Sequence, residues 1–101
     1  MGKDIYHEIY SNVFKNQQSR TMKQLIYFSA AWCAPCETLS PIIERIKKSY
    51  PVHKVNIDYD TMYVSQYNVK SIPTVIILEN GQEVGRFTGV KSEAEILNIL
   101  Q

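Results

Sequence analysis

The stretch AAWCAPCETL, Ala30 to Leu39, carries both cysteines of the chain, Cys33 and Cys36, on either side of Ala34-Pro35. Three readings are open for such a pair: half of a metal site, a structural staple, or a dithiol that makes and breaks its own bond. The flanking sequence discriminates between them. Upstream, QLIYFSA (Gln24–Ala30) is a compact apolar run bounded by polar residues, the pattern of a buried strand. Downstream, Leu39, Ile42, Ile43 and Ile46 recur at helical spacing, and Pro51 closes that helix after Tyr50. Strand, short loop, helix places Cys33 at a helix N-terminus, where unpaired N–H groups and roughly half a positive charge favour an anion. A thiolate is such an anion, and there a thiol pKa of about 8.5 falls toward neutrality. Pro35 fits the first turn, because the N–H it lacks would have no intrahelical acceptor. Cys36 returns to the same side one turn deeper, within reach of a disulfide. The expectation is an exposed Cys33 that attacks a partner disulfide and a sheltered Cys36 that resolves the mixed disulfide.

The other two readings are weaker. A metal site needs two further ligands, and the histidines, His7 and His53, lie far apart in sequence with no paired motif. A fixed bridge closing so small a loop restricts the unfolded chain little, so stability gives it scant reason to exist.

The remaining chain reads as one domain over 1–101, with no repeat, low-complexity tract or linker. Ile5, Ile9 and Val13 after Asp4 predict a first helix. VHKVNID predicts a strand, and Asp60 is placed to cap a short helix bearing Tyr63, Val64 and Tyr67. Tyr59 joins those two tyrosines in a stripe read as a core edge. Pro73 opens PTVIILE, a β-branched strand, and Asn80-Gly81 predicts a tight hairpin turn into QEVGRFTG. Ser92 then caps a last helix with Glu93, Ile96, Leu97 and Leu100 on its face. This order predicts an α/β fold, a mixed sheet with helices on both faces. The formal charge of +1 supplies no field for nucleic acid or an anionic membrane, and the polar start MGKDIYHE has no signal-peptide core. A soluble, cytoplasmic chain with neither nucleic-acid nor membrane partner is the expectation.

The combination FSAAWCAPC, then VNID, then YNVKSIPTVIILENGQEVGRFTG resembles the thioredoxin family in order and spacing over most of the chain. The family is itself the standard instance of this cysteine chemistry. The resemblance implies a thioredoxin-like fold with four or five strands and a cis Ile72-Pro73 bond facing the active cysteine. It further implies that Trp32 flanks the site, that Ile72 offers its backbone to an extended substrate beside Pro73, and that Ala34, Pro35, Gly89 and Val90 complete an apolar docking surface. It implies a monomeric thiol-disulfide oxidoreductase without a bound cofactor. Such an enzyme reduces disulfide-containing protein substrates and is recharged by a separate reductase. Two alternatives stay open on the sequence: a disulfide oxidase, isomerase or glutathione-linked relative, or a binding subunit whose cysteines are dispensable.

The chain departs from the family pattern at Tyr27, where the resemblance implies a buried aspartate that takes the proton of the resolving cysteine. Lys54 matches the family's nearby lysine, so it stands in place without that acid. A phenol of pKa about 10 is a poor base near neutrality. Glu37 follows Cys36 directly, but adjacent helix residues do not share a face. Water is then the expected proton acceptor, with Tyr27 and Lys54 as modulators.

Overall fold

The computed structural model describes residues 22–101. The expected helix around Ile5–Val13 lies outside the described residues. Within them the order is β1 (Lys23–Ser29), α1 (Ala34–Ile46), β2 (Val52–Asn56), α2 (Thr61–Gln66), β3 (Thr74–Glu79), β4 (Gln82–Thr88) and α3 (Glu93–Leu100). The strands form one sheet in the order β2-β1-β3-β4. β1 runs parallel to β2, with α1 as the connection, and antiparallel to β3; β3 and β4 are antiparallel. The hairpin turn is made as Asn-Gly chemistry requires, with φ of 55° at Asn80 and 85° at Gly81.

β1 organises the interior because it is covered on both faces. Leu25 and Tyr27 enter a core built with Leu39, Ile43 and Ile46 of α1, Val75 and Ile77 of β3, and Ile96 and Leu100 of α3. The alternate residues Ile26 and Phe28 enter a second core with Val55, Ile76 and Leu78. There Tyr63, Val64 and Tyr67, on and just beyond α2, close the outside. Period-two alternation thus delivers a single strand to two layers. Each fully buried Leu, Ile or Phe contributes about 1.5–3 kcal/mol by leaving water. The exposed Arg45–Glu93 ion pair between α1 and α3, 2.7 Å long, belongs to a class worth about 0–1 kcal/mol. Packing, not surface charge, sets the layering.

Several local expectations need correction. α1 ends at Ile46, four residues before Tyr50, and the Ser49 and Tyr50 N–H groups both return to the Ile46 carbonyl in a closing turn. Pro51 therefore follows the turn rather than the helix. Asp60 occupies the N-cap of α2 but makes no side-chain capping bond. Tyr63 and Tyr67 stack with ring centroids 6.3 Å apart, and Tyr67 meets Phe28 edge-on. Tyr59, 81 % exposed, is not part of that edge, because it precedes α2 in a turn and lacks the helical register of the other two.

α3 begins with a reciprocal cap: the Ser92 hydroxyl accepts the Glu95 N–H at 3.1 Å, and the Glu95 carboxylate accepts the Ser92 N–H at 2.9 Å. Hydrogen bonding to the carboxylate from Ser92, its backbone N–H first and its side chain second, holds the Glu95 carboxyl below its ordinary 4.5. A carboxylate with a depressed folded pKa stabilises the fold above its unfolded pKa and loses that contribution as pH falls through the folded value. Ser92→Ala is expected to cost about 1 kcal/mol at neutral pH. In urea titrations, the gap between wild type and Ser92→Ala should narrow as the pH falls through the depressed Glu95 value, because protonation removes the Ser92 side-chain bond to the Glu95 carboxylate that only the wild type has, while the bond from the residue-92 N–H is common to both proteins.

Candidate active site

The sheet leads the chain to one end of the molecule, where β1 stops at Ser29 and α1 starts at Ala34. A short turn between them holds Ala31 and Trp32 exposed, and the Cys33 N–H returns to the Ala30 carbonyl at 3.2 Å. Cys33 is the N-cap of α1, in extended conformation, and its sulfur accepts the Cys36 N–H at 3.3 Å. Sulfur here takes the place that a serine or aspartate oxygen fills at other helix starts. Pro35 lies in the first turn, as expected. Cys33 and Cys36 are joined in a disulfide with their Cα atoms 5.2 Å apart.

The expected contrast in exposure is small in this oxidised form. Cys33 is 5 % exposed and Cys36 2 %, because both sulfurs pack with Ala30 against Ile57 and Ile72. What separates the two cysteines is position. Cys33 caps the helix, with an N–H directed at its sulfur, whereas Cys36 lies within the helix with its carbonyl on β1's side, accepting the Tyr27 hydroxyl at 3.2 Å.

Around the cysteines the remaining positions fall into two groups. On one side the Ile72–Pro73 bond is cis. Pro73 is buried, so it presents no surface of its own, while Ile72 is half-buried and lines a groove of about 320 Å³ with Trp32, Ile57, Val64, Val69, Lys70 and Ser71. The Gly89 N–H donates to the Pro73 carbonyl at 2.9 Å, which ties the end of β4 to the loop before β3. Gly89 has φ of 85°, and a Cβ built there would meet nothing within 4 Å, so the backbone conformation rather than crowding calls for glycine. Ala34, Pro35 and Val90 are exposed. Trp32, 67 % exposed, is steadied by its indole N–H, which donates to the Asp58 carboxylate at 3.0 Å. Asp58 in turn is set by its own N–H on the Asn56 side chain at 2.9 Å. Asp58 was not singled out by the sequence reading; the signal available was an acid directly after a strand that runs parallel to β1 and so ends at the same edge.

On the other side lies a cleft of about 550 Å³ whose walls include Cys36, Glu37, Ser40, Pro41, Glu44 and Lys54. Two expectations change here. Lys54 does have an acid: its ammonium meets the Glu44 carboxylate at 2.6 Å, and that hydrogen bond holds the Glu44 carboxyl below its ordinary 4.5. The partner was missed because it comes from α1, ten residues away, rather than from β1. Glu37, despite being adjacent to Cys36 in the helix, lines the same cleft, because the opening is wide enough to span more than one helix row. Tyr27 is fully buried, and besides the Cys36 carbonyl its hydroxyl meets the Ser40 Oγ at 2.8 Å. Ser40, also unremarked in the sequence, stands four residues after Cys36 and hence on the same helix face, a spacing that would have found it.

Comparison with known proteins agrees with this geometry. The family profile described as Thioredoxin matches residues 6–101. A thioredoxin of Chlamydia pneumoniae is 38 % identical over 79 residues, covering 75 % of this chain and 78 % of the relative. A thioredoxin of Buchnera aphidicola subsp. Baizongia pistaciae is 33 % identical over 98 residues, covering 92 % and 90 %. Among solved structures, a point mutant of the thioredoxin from Halobacterium salinarum superposes with a TM-score of 0.73 at 28 % identity, over 76 % of this chain and 70 % of that one. With a cysteine pair at a helix start, a sheet of matching architecture and relatives of this identity, the chain belongs to the thioredoxin family and is a thiol-disulfide oxidoreductase.

Proposed function

We propose that this chain is a cytoplasmic, monomeric reductant of protein disulfides, a single thioredoxin-like unit over 1–101 that carries electrons from a separate reductase to disulfide-containing proteins. The observation that carries the assignment of roles is the Cys33 sulfur at the N-cap of α1, accepting the Cys36 N–H at 3.3 Å. In the reduced protein that N–H and the helix dipole favour the Cys33 thiolate. This thiolate attacks one sulfur of the substrate disulfide. A Cys33–substrate bond forms, the substrate S–S bond breaks, and the first substrate thiolate leaves to take a proton from water. Cys36, after losing its proton, attacks the Cys33 sulfur. The Cys33–Cys36 disulfide forms and the second substrate thiol is released, so the dithiol is oxidised by two electrons and the substrate disulfide reduced by two. No bound cofactor enters these steps.

Substrate docking is assigned to Trp32, Ala34, Pro35, Ile72, Gly89 and Val90, with Pro73 supporting Ile72 from below. In support of this, Trp32 and Ile72 share one groove, and Gly89 is bonded to the Pro73 carbonyl. An extended peptide pairing with the Ile72 backbone is a form of strand addition, which tolerates varied side chains. No helix among the described residues is long and apolar enough to cross a membrane.

Trapping tests the roles. Cys36→Ser is expected to accumulate a mixed disulfide with a substrate protein such as insulin, mapped by mass spectrometry to Cys33, while Cys33→Ser accumulates little. The reverse pattern overturns the assignment. The direction of electron flow is read by equilibrating the protein with glutathione buffers: a reductant has a potential below about −220 mV, the upper end of the reducing-compartment range, and a higher value makes the chain an oxidant.

Asp58 probes the docking face apart from the sulfur chemistry. Asp58→Ala frees the Trp32 indole from its 3.0 Å hydrogen bond. Reduction of insulin should fall about three- to tenfold, in line with about 1 kcal/mol for one such bond, with reduction of a small aromatic disulfide nearly unchanged. Equal losses on both substrates would place Asp58 in the thiol chemistry instead.

A further inference from the structure

The resolving step leaves one proton to be lost and one negative charge to be held at Cys36, in a site whose central buried residue is a phenol. The Tyr27 hydroxyl has a single proton and two oxygen neighbours, the Cys36 carbonyl at 3.2 Å and the Ser40 Oγ at 2.8 Å. The carbonyl can only accept. Two arrangements follow. In one, Tyr27 donates to the carbonyl and Ser40 donates to Tyr27. In the other, Tyr27 donates to Ser40, and the Ser40 proton is free to turn into the cleft. Ser40 is half-buried, lines that cleft together with Cys36, and lies one turn further along the same face of α1. With the disulfide closed, the Cys36 sulfur carries no charge that calls for a donor. With a thiolate at Cys36, the second arrangement supplies one.

We propose that Ser40 is the hydrogen-bond donor that holds the Cys36 thiolate during resolution, and that buried Tyr27 is the positioning residue that aims it. This rests on Cys36 being the resolving cysteine. The Cys36 proton passes to water in the cleft, the Cys36–Cys33 bond forms as the Cys33–substrate bond breaks, and the departing substrate thiolate is protonated by solvent. Ser40 keeps its own proton throughout, so its contribution is to lower the pKa of Cys36. The other titratable and charged groups around Cys36 are Tyr27 from β1, bonded to its carbonyl, and, in the cleft it lines, Glu37 and Glu44 from α1 and Lys54 from β2. Glu44 and Lys54 are paired with each other, and their charges largely offset. Glu37 opposes a second negative charge, which increases the need for a neutral donor. The charge-assisted bond is stronger than its neutral counterpart, which is why the proton arrangement follows the charge on Cys36.

The test uses the full chain carrying a preformed mixed disulfide with a small aromatic thiol, whose release is followed optically in single turnover from pH 6 to 9, with the site of attachment mapped by mass spectrometry. Ser40→Ala should shift the pH midpoint of release upward by about one unit and slow release about threefold at pH 7, the roughly tenfold loss of thiolate being partly offset by its greater nucleophilicity. Ser40→Thr keeps the hydroxyl and should restore the wild-type profile. Tyr27→Phe should shift the midpoint in the same direction by less, since Ser40 keeps its proton but loses its aim. An adduct mapped to Cys33 with an unmoved midpoint in Ser40→Ala overturns the role of Ser40 alone. A shift that Ser40→Thr does not reverse also overturns it, because packing would then be the cause. An adduct mapped to Cys36 in wild type overturns the order of the two cysteines, and the Ser40 proposal with it.

Discussion

The interaction on which the rest depends is the burial of β1 on both faces. From Leu25 to Phe28 no residue is more than 4 % exposed, so each side chain has a fixed layer to enter and a one-residue slip would exchange the two cores. β1 also pairs on both edges, with β2 from Leu25↔Val52 and with β3 from Lys23↔Glu79. A strand held on four sides cannot drift along its axis. Its end at Ser29 is therefore a fixed point from which the turn through Trp32 and the start of α1 are laid out. Removing one of its large apolar side chains, at about 2–5 kcal/mol, would strike both the stability and the placement of the cysteines.

The site inherits this placement twice. α1 is clamped onto β1 by Leu39, Ile43 and Ile46, which sets the direction of its N-terminal N–H groups and puts the Cys33 sulfur against one of them. The loop before β3 reaches the same end because β3 is antiparallel to β1, so Ile72 at its start packs against the cysteines that follow the end of β1. β2, parallel to β1, ends there as well and supplies Asp58 to Trp32. Strands of both directions converge on one edge, and each brings one component of a surface suited to a reactive sulfur and an extended partner.

Polarity around the two sulfurs is unequal. The Cys33 side is a face of exposed apolar groups, Trp32, Ala34, Pro35 and Val90, beside the half-buried Ile72. The Cys36 side is a cleft in which Lys54 is paired with Glu44, Glu37 stands at the wall, and the buried polar group beneath is a hydroxyl pair, Tyr27 with Ser40. A buried carboxylate is costly to ionise unless it is paired, whereas a phenol can be fully buried at the cost only of finding partners for one hydroxyl. Tyr27 finds two, and its ring adds apolar area to the core that α1 and α3 cover.

Among the described residues, element order, strand identity, the Asn80-Gly81 turn, the Ser92 cap and the helix start at the cysteine pair were legible in the chain itself, because each rests on a period of two or 3.6, or on a residue whose backbone preference acts within a few positions. The pairing of Lys54 with Glu44, the bond from Trp32 to Asp58, the contact of Tyr27 with Ser40 and the near-equal burial of Cys33 and Cys36 were not legible. The first two join elements through side chains that reach across the end of the sheet, and the last follows from Ile57 and Ile72 closing over the sulfurs. Local rules state which face a residue takes but not what stands opposite it. For Tyr27 the sequence determined a buried position in a strand; only the tertiary structure, by laying α1 across that strand, decided that its hydroxyl would meet the Cys36 carbonyl and Ser40 rather than water.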